Sequence, residues 1–428
     1  MIGYTQDLEG IIGLAGLPED QLIELASSLG NHLSDLQIAR ENGDNEILAL
    51  ADRTDDLEEI IETAARICVG AETVVILGTG GSSLGGQTLV RLADHGFGPR
   101  PERPRVIFFD NVDPVTFAAF FASADPTNTR FVAISKSGST AETVLQTQTC
   151  ISWLKAYPRI APKDVFTIIT EAKPSLLSKI ADIHGIPRIS HSAAIGGRYS
   201  ALSTVGLLPA AIAGLEVATI RKAAAAAMDV SLKSIPKESP AALGAAVNVG
   251  LSQVKNIKSS ILMPYMEALQ PLTFWYRQLW AESLGKDGNG TLPVNALGTV
   301  DQHSQLQLYL GGPNDKFFSL IFAEKTDAAE IPSLLDELDL GYLDRKSFSD
   351  LVDASQRATA ETLIRNGRPT RVFHIQQPNE EAVGALMAHY ILETMLTARL
   401  LGVNPFDQPA VEESKALARD YLADTRRL

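Results

Sequence analysis

The chain has 428 residues, enough for two or three domains with substantial cores, and its 45% hydrophobic and 21% charged residues mark a globular protein rather than a disordered one. A net charge of −14 argues against nucleic acid as the main partner and requires that any site for an anion be made positive locally. Two cysteines, Cys68 and Cys150, exclude a disulfide framework and a cysteine metal cluster, and they favour a reducing compartment.

In chain order, Asp7 and Glu9 stand where a secretory leader would carry basic residues, and the apolar run from Ile11 to Leu17 is short and holds two glycines. The longer apolar stretch from Val205 to Ile220 is broken by Pro209, Gly214 and Glu216, too short for a bilayer span. These features predict a cytoplasmic protein without a membrane partner. Residues 1–45 read as an N-terminal helical segment, with one helix from about Glu19 to Glu41 carrying Leu22, Ile23, Leu25, Leu29, Leu33 and Leu36 on a broad face. A second helix is predicted from Asp55 to Cys68.

Strand-like runs then alternate with helical segments: Thr73 to Leu77, Val106 to Asp110, Phe131 to Ile134 and Val165 to Ile169. The pattern predicts an α/β fold with a doubly wound parallel sheet over residues 46–220. A second α/β domain is expected over 221–402, with strands at Ser260 to Met263, Phe317 to Phe322 and Arg371 to Ile375 and an apolar helix from Glu381 to Leu401. No clear sequence repeat links the halves. Residues 403–428 form a C-terminal arm, turn-rich at Asn404 to Pro409 and then helical to Leu422.

Two polar loops follow two of these strands. After Ile134 comes Ser135-Lys136-Ser137-Gly138-Ser139-Thr140, four hydroxyls and an ammonium around one glycine, and then a helix start. The first helical N–H groups have no partner within the helix and the dipole is positive there, so this is an anion site suited to a phosphate. A plain capping box between Ser139 and Glu142 is the competing structural reading. After Leu77 comes Gly78 to Gly86, with Gly81 and Ser82 as candidate contacts. Its competing reading is a dinucleotide loop with Asp110 as ribose acid, but Ser83 stands at the third glycine position, and Gly86 stands where a Walker loop needs lysine.

Further candidates are Arg198 in Gly196-Gly197-Arg198-Tyr199-Ser200, a fixed cation that suits a developing enolate, and Glu282 near the end of a helix carrying Gln278 one turn earlier. Asp301-Gln302-His303-Ser304-Gln305 holds one of seven histidines, and Lys415 follows two glutamates. Taken singly, each has an ordinary reading as a turn arginine, a solvated acid, a structural histidine or a paired surface lysine.

Together these segments resemble the glucose-6-phosphate isomerase (phosphoglucose isomerase) family. The likeness runs from about Thr73 to Lys415 through GTGGSSLG, SKSGSTAET, GGRYSALSTVGLLP, QLWAESLGK, DQHSQ and NPFDQPAVEESK, in the family's order. Thr79 replaces a usual isoleucine, and Gly138-Ser139 replaces Phe-Thr or Gly-Thr. The resemblance implies two sugar isomerase (SIS) domains, a C-terminal helical arm, a homodimer with shared active sites, and no metal or other cofactor. The implied reaction interconverts glucose 6-phosphate and fructose 6-phosphate through ring opening and a cis-enediolate, in glycolysis and gluconeogenesis. Ser135, Lys136, Ser137 and Thr140 would grip the phosphate with Gly81 and Ser82 nearby. Glu282 would be the base at C2, Arg198 would stabilise the enediolate, and Gln278 would contact the sugar. His303, from the neighbouring subunit, would open the ring with help from Lys415, and Glu142 would order water or hydroxyls. Three alternatives remain at this stage: a non-catalytic phosphosugar sensor, a nucleotide-dependent oxidoreductase and an amidotransferase-type sugar isomerase. The last would need an N-terminal nucleophilic cysteine and a glutaminase domain, which the chain does not display.

Overall fold

Runs such as Thr73-Val74-Val75-Ile76-Leu77 are apolar on both faces, so they must be covered on both sides, as strands of a parallel sheet are. The structure, a computed structural model, describes residues 2–13, 16–326, 341–344 and 346–424. Among them ten strands form two five-stranded sheets. They are β1 (Thr5–Asp7), β2 (Thr73–Leu77), β3 (Arg105–Phe109), β4 (Thr129–Ile134), β5 (Phe166–Thr170), β6 (Arg188–Ser190), β7 (Ser259–Pro264), β8 (Leu292–Asn295), β9 (Lys316–Ala323) and β10 (Thr370–Ile375).

The first sheet has the order β3-β2-β4-β5-β6, all parallel. The second has the order β1-β10-β9-β7-β8, parallel except for β1, which runs antiparallel on β10. Apart from β6 and β1, the strands are wound alike: the first strand of each sheet is flanked by the second on one side and the third on the other. The expected two doubly wound sheets are present, and the winding repeats although the sequence does not.

Alternate residues of each strand face opposite ways. Val74, Ile76, Val132 and Ile134 of the first sheet share one core with Leu262, Ile321, Phe373 and Ile375 of the second. The Val217–Lys233, Gln270–Leu284 and Glu380–Leu401 helices fill that shared interior. The outer faces have cores of their own, around Phe131 and Phe166 in the first sheet and Phe318 and Leu320 in the second. Among the described residues no helix is long and apolar enough to cross a membrane.

Residues 1–45 depart from the helical reading in two ways. They contribute β1, which extends the second sheet. The single helix expected from Glu19 to Glu41 is two, Glu19–Ser27 and Gly30–Glu41. The first packs on the Pro240–Lys255 helix and the second on Val217–Lys233, and tertiary contacts of this kind override a continuous helical pattern.

Beneath β1 lies a fully buried polar chain. Arg371 of β10 binds both oxygens of Glu393, at 2.7 and 3.1 Å. His389 Nε2 lies 2.7 Å from Glu393, and His389 Nδ1 lies 2.7 Å from the Tyr4 hydroxyl. A carboxylate can only accept, so Nε2 carries the proton and Nδ1 accepts from Tyr4. Burial pushes the His389 pKa down and outweighs the upward pull of Glu393, which keeps the ring neutral. Burial alone would raise the Glu393 pKa, but Arg371 and then His389 hold it at about 2.

Its folded pKa lies below the unfolded value, so this stabilisation is present above about pH 4.5 and is lost as pH falls through about 2. Glu393→Gln should cost about 3–5 kcal/mol at neutral pH, because it strands a buried guanidinium. Urea unfolding at pH 7 measures it, and a loss below about 1 kcal/mol would show that the pair is dispensable.

Candidate active site

Open α/β sheets bind ligands at the carboxyl ends of their strands, where the winding reverses. In the first sheet that point lies between β2 and β4. Leu77 pairs with Ala133, so the loops leaving the two strands begin side by side. A Cβ at Gly78 would lie 3.0 Å from the Ile134 carbonyl oxygen, which measures how closely they run.

The loop after β4 does not form the Ser139–Glu142 capping box. The N-cap of the Ala141–Leu154 helix is Thr140, with no side-chain capping bond, and Glu142 is exposed in the first turn. The loop's own hydroxyls converge: Ser135 Oγ lies 2.9 Å and Ser137 Oγ 3.5 Å from Thr140 Oγ1. Gly138 has a φ of 63°, and a Cβ there would lie 2.1 Å from Ser175 Oγ, so this tight turn requires glycine. The Lys136 ammonium donates to the Ala193 carbonyl at 2.6 Å and lies 3.9 Å from Glu171, which also pairs with Lys173. Burial pushes the Lys136 pKa down, partly offset by Glu171. The loop thus presents hydroxyls at the start of a helix, and the lysine's charge is shared.

The loop after β2 makes a tight turn at Gly80–Ser82, and the helix Leu84–Asp94 follows. A Cβ at Gly81 would stand 2.1 Å from the carbonyl carbon of Gly197, so two backbones touch there. Ser200 Oγ seals the contact by donating to the Gly81 carbonyl at 3.2 Å. Asp110, the acid of the dinucleotide reading, accepts instead from Gln87 Nε2 at 2.8 Å.

Through this contact Gly81 abuts the residue before Arg198. The Arg198 side chain is 3% exposed and all five of its N–H groups have acceptors. Nε donates to Ser283 Oγ at 2.9 Å, and Nη1 to Glu282 Oε2 at 3.0 Å and Gln408 Oε1 at 2.9 Å. Nη2 donates to the carbonyls of Pro405 at 2.5 Å and Asp407 at 3.0 Å. Gln278 Nε2 donates to the other Glu282 oxygen at 2.9 Å. That bond fixes the amide's orientation, and it leaves Gln278 Oε1 buried without a partner beside Gly80. Both carboxylate oxygens of Glu282 are thus held, yet its side chain is 34% exposed and open to a ligand.

The structure therefore brings together Gly81, Ser82, Arg198, Gln278 and Glu282, and the Ser135–Thr140 loop adjoins the one that carries Gly81 and Ser82. His303 and Lys415 stand apart. His303 is exposed on the short Val300–Ser304 helix, which Asp301 braces by accepting from the Leu297 amide at 2.7 Å. Lys415 pairs with Glu412 at 2.7 Å on the Glu412–Ala423 helix, every residue of which is exposed. Among the described residues no hydrogen bond or ion pair joins either one to the Arg198–Glu282 group.

Four neighbours of Arg198 escaped the sequence reading: Ser283, Tyr199, Gln408 and Asp407. Tyr199 donates to Pro405 O at 3.2 Å and lies 3.0 Å from Ser283 Oγ. All four lie inside the segments GGRYS, ESLGK and NPFDQ, and a polar residue within such a segment was the available signal.

A family model described as phosphoglucose isomerase matches residues 42–427. The chain is 37% identical over 370 residues to the glucose-6-phosphate isomerase of Rubrobacter xylanophilus, covering 84% of this chain and 85% of that one. It is 34% identical over 358 residues to the glucose-6-phosphate isomerase of Thermus thermophilus, covering 82% and 84% of the two. Among solved structures, a hypothetical protein from Thermus thermophilus superposes with a TM-score of 0.85 at 31% identity, covering 98% of this chain and 100% of that one. A glucose-6-phosphate isomerase from Chlamydia trachomatis shares the fold, with a TM-score of 0.77 at 21% identity over 90% of this chain and 75% of that one.

Gly81→Ala would force the two backbones at Gly197 apart. The expected cost is about 1–3 kcal/mol of stability from overpacking, together with a loss of turnover. A thermal melt alongside steady-state kinetics checks both, and an unaltered melt with unaltered kinetics would show that the contact can relax.

Proposed function

The chain belongs to the phosphoglucose isomerase family, and from that membership we infer that it interconverts glucose 6-phosphate and fructose 6-phosphate. In that family the reaction serves glycolysis and gluconeogenesis, and we place this enzyme in the cytoplasm as a homodimer. The observation that carries the assignment of residues is the Gln278–Glu282–Arg198 group, seated against the Gly80–Ser82 turn beside the hydroxyl-rich Ser135–Thr140 loop.

In this reading the phosphate sits on the hydroxyls of Ser135, Ser137 and Thr140 and on the first amides of the Ala141–Leu154 helix, where the dipole favours an anion. Gly81 and Ser82 line its other side, and Lys136 contributes charge from the rim. Gln278 Oε1, buried and unpaired, accepts from a sugar hydroxyl. His303 and Lys415 move the proton between the ring oxygen and the anomeric hydroxyl, which opens the ring.

Glu282 then takes the C2 proton. The electron pair left behind forms the C1–C2 double bond of the enediolate, and the negative charge rests on the C1 oxygen. The O2 proton passes to O1, which leaves the charge on the C2 oxygen; when Glu282 returns its proton to C1, that oxygen closes to the C2 carbonyl and gives the ketose. Every N–H of Arg198 already has an acceptor, so Arg198 serves this intermediate through its fixed charge. Glu142, free of any capping role, orders water or hydroxyls at the mouth.

The test is a coupled assay for glucose 6-phosphate formed from fructose 6-phosphate. Wild-type protein should turn over, and Glu282→Gln should lower kcat by about 10²-fold or more with KM little changed, as for a lost general base. Turnover of Glu282→Gln within about threefold of wild type would sink its role.

A homodimer accounts for the placement of His303. Exposed on its own chain, it is free to enter the site of a second copy. In a two-fold dimer each chain lends the same element to the other. His303→Ala and Glu282→Gln, each inactive alone, should therefore complement when unfolded and refolded together. Random mixing makes about half the dimers mixed, each with one intact site, so roughly a quarter of wild-type activity should return. Inactivity despite verified mixed dimers would place His303 in its own chain's site.

A further inference from the structure

Lys286 follows the Gln270–Leu284 helix and is 11% exposed. Its ammonium donates to the last-turn carbonyl of Ser283 at 3.1 Å and to the carbonyl of Asn404, and it pairs with the Asp407 carboxylate at 3.0 Å. Two of these three partners lie on the turn from Asn404 to Gln408. The same turn supplies three of the five acceptors around Arg198: the Pro405 carbonyl, the Asp407 carbonyl and Gln408 Oε1.

The turn is braced internally. Asn404 Nδ2 donates to Asp407 Oδ2 at 3.1 Å, the Phe406 amide donates to Asn404 Oδ1 at 3.0 Å, and the Phe406 ring lies 5.7 Å from that of Tyr199. Two cations thus hold one turn. Arg198 binds two of its carbonyls and the Gln408 side chain, and Lys286 binds the Asn404 carbonyl and the Asp407 side chain. The hydrogen bond from Lys286 is also the main reason that the Asp407 carboxyl titrates below its ordinary range.

We propose that Lys286, acting through Asp407, is a positioning residue for the isomerisation: it docks the Asn404–Gln408 turn so that Arg198 is fixed beside Glu282. This rests on the reading that Glu282 and Arg198 work on the substrate. The physical argument is one of satisfaction. A guanidinium that is 3% exposed and cannot lose its proton must keep acceptors on its N–H groups. If the turn lifts, three of five go unpaired, and the guanidinium turns away from Glu282 to find others. A displacement of about 1 Å at a reacting group costs about 10²-fold in rate. The phosphate cradle, built on a different loop, does not feel the change.

The experiment uses the full chain carrying Lys286→Met, Asp407→Asn or both, with Lys286→Arg as the conservative variant. The expected result for each single variant is a fall in kcat of about 10- to 100-fold with KM for fructose 6-phosphate within about threefold. The double variant should be little worse than either single one, because both remove the same contact. Lys286→Arg should recover most of the turnover. Amide exchange at Phe406, Asp407 and Gln408 should speed up in Lys286→Met and Asp407→Asn. Asp407 is half exposed, so its substitution tests the contact even if Lys286→Met fails to fold.

The proposal is overturned by unchanged exchange in the turn, by kcat within about threefold of wild type, or by losses that multiply in the double variant. A loss seen only in the melting temperature overturns it too. A wild-type protein that does not isomerise fructose 6-phosphate would instead defeat the functional reading, while the exchange measurement would still report on the docking.

Discussion

The working face of this molecule hangs on one guanidinium. Arg198 is nearly inaccessible and carries a charge that burial cannot remove, so each of its N–H groups needs an acceptor. Those acceptors come from segments remote in sequence: Glu282 lies 84 residues away and Gln408 lies 210. Satisfying Arg198 therefore determines where the end of the Gln270–Leu284 helix and the C-terminal turn must sit. The backbone contact between Gly81 and Gly197 then ties this group to the first sheet. Neither the sheets nor the helices alone would bring these pieces to one point.

A second buried arginine shows what the same chemistry does without an opening. Arg371 and Glu393 are both fully inaccessible, and the carboxylate has arginine, histidine and asparagine donors around it. Sealed from solvent and ligand alike, that pair can only hold structure, and it fastens β1 through His389 and Tyr4. The Arg198–Glu282 pair differs in one respect: a third of the Glu282 side chain is exposed. That exposure separates a carboxylate that can meet substrate from one that cannot. The two sheets are wound alike, yet the cradle follows strands of the first. The second half contributes the helix after β7, which carries Gln278 and Glu282.

Much of this was legible from the sequence. Strands such as β2, β4 and β9 are buried on both faces, and their continuous apolar runs announce them. β1, β6 and β8 were invisible because they are sheet-edge strands of three or four residues with polar members. Gln278 and Glu282 were legible as one helix face because helical periodicity is local. The contacts of Arg198 with Ser283, Pro405, Asp407 and Gln408 were not, since nothing local encodes a partner two hundred residues away. Lys136 hid its partners for the same reason. Its place among hydroxyls suggests a direct grip, but the fold turns its ammonium to Ala193 and Glu171. The Ser139–Glu142 capping box is equally plausible as a pattern, but the helix begins at Ala141 with Thr140 as its cap.

The net charge of −14 makes that arrangement of Lys136 intelligible. A sugar phosphate approaches a protein whose overall field repels it, and the reaction itself needs a carboxylate close to the sugar. Two devices answer this. In the proposed site, the Ser135–Thr140 loop meets the phosphate with hydroxyls and helix amides, short-range donors that do not depend on a lysine already shared with Glu171. Glu282, the proposed base, in turn sits within 3.0 Å of Arg198, so the pair presents little net charge to an incoming anion. Charge developing on the proposed enediolate would find the same arginine already in place, because its hydrogen bonds are completed on folding. Such a site would bind an anion despite the chain's net charge, because the positive ends of its dipoles and one buried cation are fixed in advance.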